Sequence, residues 1–146
     1  PRCASDYQAR ISGPIYDRID LHVEVPAVKP RDLAQEAPGE TSAAVLQRVM
    51  AARRIQTERF AALGKPELSR NSELAGDMLT EAAAMLPEAQ EMLYQAADRM
   101  GLSARGYHRV IRVSRTIADL AAETSISRSH VAEALSYRRM IPGMAA

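Results

Sequence analysis

The hydrophobic repeat of this chain changes once. From Arg18 to Pro26, Ile19, Leu21, Val23 and Val25 alternate with polar neighbours at the two-residue period of a β-strand. Beyond about residue 40 the apolar positions recur every three or four residues, the period of a helix that buries one face. The predicted fold class is therefore mainly α: a helical bundle of roughly four or five helices, preceded by one β-strand. A lone strand cannot satisfy its own backbone donors and acceptors, so this one is expected to be left over from a larger sheet. Two pieces follow, residues 1–30 and 31–146, with Lys29-Pro30, Arg31-Asp32 and Pro38-Gly39 forming the link.

Turn and cap residues set the expected helix boundaries. Ser12-Gly13-Pro14 reads as a turn, which places Arg18 where a turn hands over to the strand. A first helix should open at Thr41 or Ser42 and close near Leu63-Gly64, with Leu46, Val49 and Met50 sharing a face. Asn71 is a possible cap for one or two short helices, because Gly76 interrupts the pattern before Leu86. Pro87 suits the first position of a helix whose Ala89, Met92, Leu93, Ala96 and Met100 recur at helical spacing, ended by Gly101. Ser103 should cap the next helix, with Leu102 and Tyr107 as a hydrophobic staple. Its expected buried stripe is Tyr107, Val110, Ile111, Ser114, Ile117, Ala118 and Ala121. Ser127, Ile126 and Val131 repeat the device for a last helix, and Arg138 and Arg139 suit its C-terminal end.

Composition narrows the class. Of 146 residues, 47% are hydrophobic and the net charge is +1, too apolar and too neutral for a disordered chain. No apolar run approaches the ~20 residues of a membrane span, so no membrane partner is expected; the single cysteine makes a cytoplasmic location the expectation. Cys3 is the single cysteine, which excludes an intrachain disulfide or a multi-cysteine zinc site built from this chain. A start at Pro1 and the orphan strand both read as a piece of a longer protein.

Candidate chemistry centres on arginine. His22, His108 and His130 lack metal-ligand spacing and are expected to have surface roles; no metal site is predicted. There is no Gly-rich phosphate loop and no strand ending in paired acids, so the isolated chain is expected to hydrolyse no nucleotide. Arg18 at the mouth of the strand and Arg105 in the first turn of a helix are placed differently. A guanidinium holds phosphate oxygens bidentately and stays protonated, and a helix N-terminus adds amide donors. The alternative for Arg18 is a surface ion pair with Asp17 or Asp20, and for Arg105 a solvated helix position. Arg48, Arg53, Arg54 and Arg59 make the first helix basic, which reads as a solvated face.

Three long phrases carry a family likeness. Tyr7-Gln8-Ala9-Arg10-Ile11-Ser12-Gly13-Pro14-Ile15-Tyr16-Asp17-Arg18-Ile19-Asp20-Leu21-His22-Val23-Glu24-Val25-Pro26 resembles the segment of magnesium-chelatase-like AAA+ ATPases that joins the nucleotide-binding core to its lid, nearest to the competence-associated ComM/YifB branch. Gly39-Glu40-Thr41-Ser42 leading to Arg48, Ala52, Arg53 and Gln56 agrees in order. So does Leu102-Ser103-Ala104-Arg105-Gly106-Tyr107-His108-Arg109-Val110, leading to Arg115-Thr116-Ile117-Ala118-Asp119-Leu120 and to His130-Val131-Ala132-Glu133-Ala134-Leu135-Ser136-Tyr137-Arg138. Ile15-Tyr16 departs from the family's usual Leu-Leu, and Cys3 resembles the last member of a cysteine-rich segment.

The resemblance implies that residues 1–30 end the ATPase core and that 31–146 form the helical lid. It makes Arg18 the arginine finger, reaching ATP on a neighbouring subunit of a homo-oligomeric ring, and Arg105 the sensor-2 arginine. ATP and Mg2+ are then cofactors of the intact protein, with none expected on this fragment. The same core and the ring neighbours are the implied partners, with DNA as the implied substrate of a branch-migration helicase. Alternatives are a freestanding helical DNA-binding or protein-interaction module, and the lid of a metal-insertion chelatase subunit.

Overall fold

A computed structural model describes residues 15, 18–23, 25–27 and 39–138. Among them are five α-helices and one short 3-10 turn: α1 (Ser42–Ala62), the 3-10 turn (Asn71–Glu73), α2 (Asp77–Ala83), α3 (Pro87–Met100), α4 (Ala104–Leu120) and α5 (Arg128–Ser136). The chain is mainly helical, as its periodicity predicts. No described helix is long and apolar enough to cross a membrane.

The ends of these helices follow from local chemistry. Thr41 Oγ1 accepts from the Ala44 amide at 3.3 Å, and the chain leaves α1 through Leu63 and a left-handed Gly64. Pro87 opens α3, where its missing N–H costs nothing, and Gly101 at φ 58° closes it. Ser103 Oγ accepts from the Gly106 amide at 3.1 Å to open α4. Asn71 caps nothing: it is the first residue of the 3-10 turn, and its side chain is turned inward and buried. Ile126 and Val131 are both fully buried around the start of α5.

The strand expected from Arg18 to Pro26 is absent from the described residues of that segment. Among the described residues no neighbouring strand offers a ladder, and the segment bonds to the end of α5 instead: the His22 amide donates to the Tyr137 carbonyl at 2.8 Å. Ile19, Leu21, Val23 and Val25 stay exposed, because a period of two buries a face only when a sheet is there to present it. Just before it, the Arg18 amide donates to the Ile15 carbonyl at 2.9 Å, so Arg18 closes a turn. Ser12-Gly13-Pro14, Cys3, the 28–38 link and Arg139 lie outside the described residues.

α4 is the central element. It packs against α1, the 3-10 turn, α2 and α5, while α3 packs on α5. Phe60, Leu74, Leu79, Leu93, Val110, Ile126 and Val131 are the large side chains sealed between them. Burial of each contributes roughly 1.5–3 kcal/mol. The α2–α3 and α4–α5 connections are stitched side by side: Ile126 donates to the Ala84 carbonyl and accepts from the Leu86 amide, both at 3.0 Å. Leu46, Val49 and Met50 share a face of α1 but that face is exposed; the fully buried residues of α1 are Ala52, Gln56 and Phe60.

The interior also holds an ionic network, which corrects two expectations. Arg59 is not on a solvated face, and the buried face of α4 takes in Arg115 and Asp119, whereas Ala121, expected on it, is exposed just past the helix end. Asp119 is sealed from solvent, and its Oδ1 accepts from Arg115 Nε at 3.0 Å and Arg59 Nη1 at 2.7 Å. Its Oδ2 accepts from Arg59 Nη2 at 2.7 Å, Asn71 Nδ2 at 2.8 Å and Gln56 Nε2 at 3.1 Å. Arg115, also fully buried, donates onward to the carbonyls of Ala83 at 3.3 Å and Thr124 at 2.8 Å. Those acceptors flank Ala84 and Ala122, whose φ of 44° and 58° lie in the left-handed region that costs a non-glycine residue about 1–2 kcal/mol. The guanidinium thus satisfies carbonyls left over where α2 and α4 end in sharp reversals.

Burial alone would push the Asp119 carboxyl up, but bonds from Arg59 and Asn71 and the charge of Arg115 hold it below the usual carboxylate range. Burial likewise pulls the Arg115 guanidinium down, opposed by Asp119. Removing the carboxylate strands two cations. Asp119→Ala should therefore destabilise the domain by about 3–5 kcal/mol, whereas Arg59→Ala, which leaves the Arg115–Asp119 pair in place, should cost about 1–3 kcal/mol. Urea unfolding of the two variants checks both the size and the order. A native value below the unfolded one stabilises the fold above the unfolded carboxylate range, and that contribution is lost as pH falls through the native value. Wild-type stability should therefore decline on acidification, and Asp119→Asn should show a shallower decline in the same thermal melts.

Candidate functional site

Arg18 and Arg105, the two arginines singled out by their positions, are both exposed. Neither makes an ion pair or side-chain hydrogen bond among the described residues. The carboxylate of Asp20, a candidate partner for Arg18, is paired instead with Arg109 on α4. Asp17 lies outside the described residues. Arg105 is held at its position by the Ser103 cap that starts α4. It stands at the positive end of the helix with no acidic residue in that first turn. A cation there is disfavoured by roughly 0.3–1 kcal/mol, and an anion is favoured by a similar amount.

Several contacts bring the Arg18-bearing turn to the same end of α4. Asp20 pairs with Arg109, one helical turn beyond Arg105. Arg138, just past α5, donates from Nη1 to the Ile19 carbonyl at 2.9 Å. Its other terminal nitrogen lies over Gly106, where a Cβ would stand only 3.2 Å away. Among the described residues, Arg105, Arg109 and Arg138 thus collect around one helix terminus, with the turn that carries Arg18 docked there through the carboxylate of Asp20. What this arrangement can do chemically is hold anionic oxygens; it contains no base and no nucleophile.

The remaining candidates resolve differently. His108 is exposed and sits edge-on to Tyr107 at 5.8 Å, while Tyr107 stacks on Tyr94 at 6.2 Å. Burial pushes the Tyr107 hydroxyl up, with the neighbouring Tyr94 adding to it. His22 is half-buried. His130 is not a surface residue: it is buried, its Nδ1 accepting from the Ser127 amide at 3.1 Å and its Nε2 facing Glu123 at 3.6 Å. An imidazole three residues into a helix can fold back on the cap, taking the place a Glu usually fills. No cluster of three His, Cys, Asp or Glu that could hold a metal occurs among the described residues.

On α1, Arg48 pairs with Glu40 at 2.6 Å, Arg54 approaches Glu58 at 3.8 Å, and Arg53 donates to Gln56. Sequence reasoning missed Arg59, Gln56, Asn71, Arg115 and Asp119 as one group. The available signals were the i,i+4 pair Arg115/Asp119 and an acid in the last turn of a helix, where the dipole disfavours it unless cations lie close.

Residues 39–138 match the family described as magnesium chelatase, subunit ChlI C-terminal, and residues 1–33 match the magnesium chelatase, subunit ChlI family. The chain is 40% identical over 146 residues to competence protein ComM of Haemophilus influenzae, covering 97% of this chain and 26% of that protein. It is 39% identical over 133 residues to the uncharacterized protein YifB of Escherichia coli, covering 90% of this chain and 25% of YifB. An uncharacterized Mycobacterium tuberculosis protein is 38% identical over 138 residues, 91% of this chain and 26% of its own length. The chain spans about a quarter of the length of these relatives. The helices described above fill the span of the C-terminal match, and the chain belongs to the magnesium chelatase subunit ChlI family.

Proposed function

We propose that this chain is the lid region of an ATP-driven ring motor, in which Arg18 acts as an arginine finger and Arg105 as a sensor arginine on the nucleotide. The observation that carries the reading is the pairing of exposure with position. Both guanidinium groups lie outside any ion pair among the described residues, and Arg105 stands at a helix N-terminus that carries no acid. The residues present fit a triphosphate, whose oxygens need planar donors and positive potential. Among the described residues no cluster of three His, Cys, Asp or Glu offers a magnesium site, and on this reading Mg2+ would be held by the rest of the protein.

ATP, when bound, supplies the transferring phosphoryl group and the charge that develops as it leaves. Arg105 would donate to phosphate oxygens from the end of α4, orienting the nucleotide against the lid. Arg18 would reach the ATP of a neighbouring subunit and neutralise charge as the bond breaks, an electrostatic role with no proton transfer. The ATPase core of the same protein and the adjacent subunits of a homo-oligomeric ring are the partners this requires. A DNA substrate, worked on by branch migration, is the reading that the sequence resemblance implies, and one relative is named a competence protein; metal insertion is supported by the family description and is the alternative.

In the full-length protein, Arg18→Ala should lower ATP turnover about 10³-fold or more with ring assembly retained, the scale of arginine fingers in general. Arg105→Ala should lower turnover and weaken nucleotide binding together. Mixing Arg18→Ala subunits with subunits unable to bind ATP should restore turnover at the mixed interfaces, and wild-type turnover in either single variant would overturn the reading. The 146-residue chain alone should bind ATP weakly or undetectably in calorimetry, and tight DNA binding that falls steeply with salt would favour a freestanding DNA-binding module instead.

A further inference from the structure

The segment that carries Arg18 is held by polar contacts and hardly at all by apolar burial. Ile19, Leu21, Val23 and Val25 are all exposed, Val25 at 83%. What fixes the segment is a set of bonds that cross the chain by 89 and 119 positions: the Asp20–Arg109 pair and the Arg138 bond to the Ile19 carbonyl. The His22 amide adds a backbone bond to Tyr137. The main chain just after Arg18 is therefore tied to the helices through the Ile19 carbonyl, Asp20 and the His22 amide, and the Arg18 amide closes a local turn on the Ile15 carbonyl, while its guanidinium stays in solvent.

We infer that Asp20, Arg109 and Arg138 form a clamp that couples the Arg18 turn to the first turns of α4, so that Arg18 and Arg105 move as one body. This rests on the finger-and-sensor reading for its functional consequence, and on the contacts alone for its structural one. Arg109 follows Arg105 by four residues and lies on the same face of α4, so any displacement of that helix end carries Asp20 with it. The Arg109 side chain is only 19% exposed, which shields its side of the pair from water. Gly106 is the second support. It leaves room for the Arg138 guanidinium to lie on the first turn of α4, a space that a side chain at 106 would contest.

Asp20, Arg109 and Arg138 are thus positioning residues. None is placed on the nucleotide; they pre-set where the finger points, and orientation of this kind is a large part of what a phosphoryl-transfer site needs from its protein. Engagement of phosphate by Arg105 in one subunit would, through the same clamp, bias the finger presented to the next subunit. Neighbouring ATP sites would then be coupled by a chain of two polar contacts.

Charge reversal separates this from a general loss of structure. In the full-length protein, Asp20→Arg and Arg109→Asp should each lower kcat for ATP hydrolysis about tenfold or more, with KM changed less than about twofold and ring assembly intact. The double variant should recover kcat to within about threefold of wild type. In the 146-residue chain with Cys3→Ser, spin labels at positions 23 and 104 should report one narrow distance in wild type, a broad distribution in Arg109→Asp, and a narrow one again in the double variant. Gly106→Leu should broaden the distance without altering either member of the ion pair.

Failure of the double variant to restore both readouts overturns the clamp. So does a narrow distance with normal kcat in both single variants while Arg18→Ala is inactive, an outcome that leaves the finger reading intact. Restored distances in the double variant combined with wild-type turnover in Arg18→Ala would instead sustain the clamp and remove the finger.

Discussion

The buried carboxylate of Asp119 is the point on which the helices agree. It sits in the last turn of α4, where the helix dipole disfavours a negative charge, and is compensated by donors from three places in the chain: α1 through Gln56 and Arg59, the 3-10 turn through Asn71, and its own helix through Arg115. An apolar interface tolerates sliding by a side chain or two, whereas a desolvated ion with directional bonds does not. The network thereby sets the register of α1 on α4. Through Arg115 it also reaches the carbonyls that end α2 and the loop that leads to α5.

That register matters because the two ends of α4 have different tasks. The C-terminal end is locked into the core by Asp119 and Arg115. The N-terminal end, opened by Ser103, is left to present Arg105 and to receive the segment bearing Arg18. A helix of seventeen residues spans roughly 25 Å at 1.5 Å per residue, so a firm hold at one terminus aims the other. The cations follow the same division. Arg59 and Arg115 are consumed by the core and Arg109 and Arg138 by docking contacts, while Arg18 and Arg105 have no ionic partner among the described residues. Arginines of one type therefore serve three ends, distinguished only by what surrounds them.

Much of this was legible in the sequence because it depends on contacts between near neighbours. Thr41, Pro87, Gly101 and Ser103 act within three or four residues of themselves, so their identities announce the helix ends they make. The stripe of Val110, Ile111, Ser114 and Ala118 is readable for the same reason, since one helix repeats itself. Asn71 misled because Asn serves equally as a cap and as an interior amide, and only a carboxylate 48 positions away decides between them. His130 misled because a histidine at the third position of a helix has no ordinary reading, and its burial depends on what Ile126 and Val131 pack against.

Periodicity along the sequence determined the helical class, and cap and turn residues determined most helix boundaries, the placing of Arg18 in a turn and that of Arg105 at a helix start. Tertiary structure alone decided which charges are buried and whether the alternating segment pairs as a strand. Both questions turn on a partner distant in the chain. A buried charge needs its counter-ion before it is tolerable, and a strand needs a neighbour before its period of two means anything.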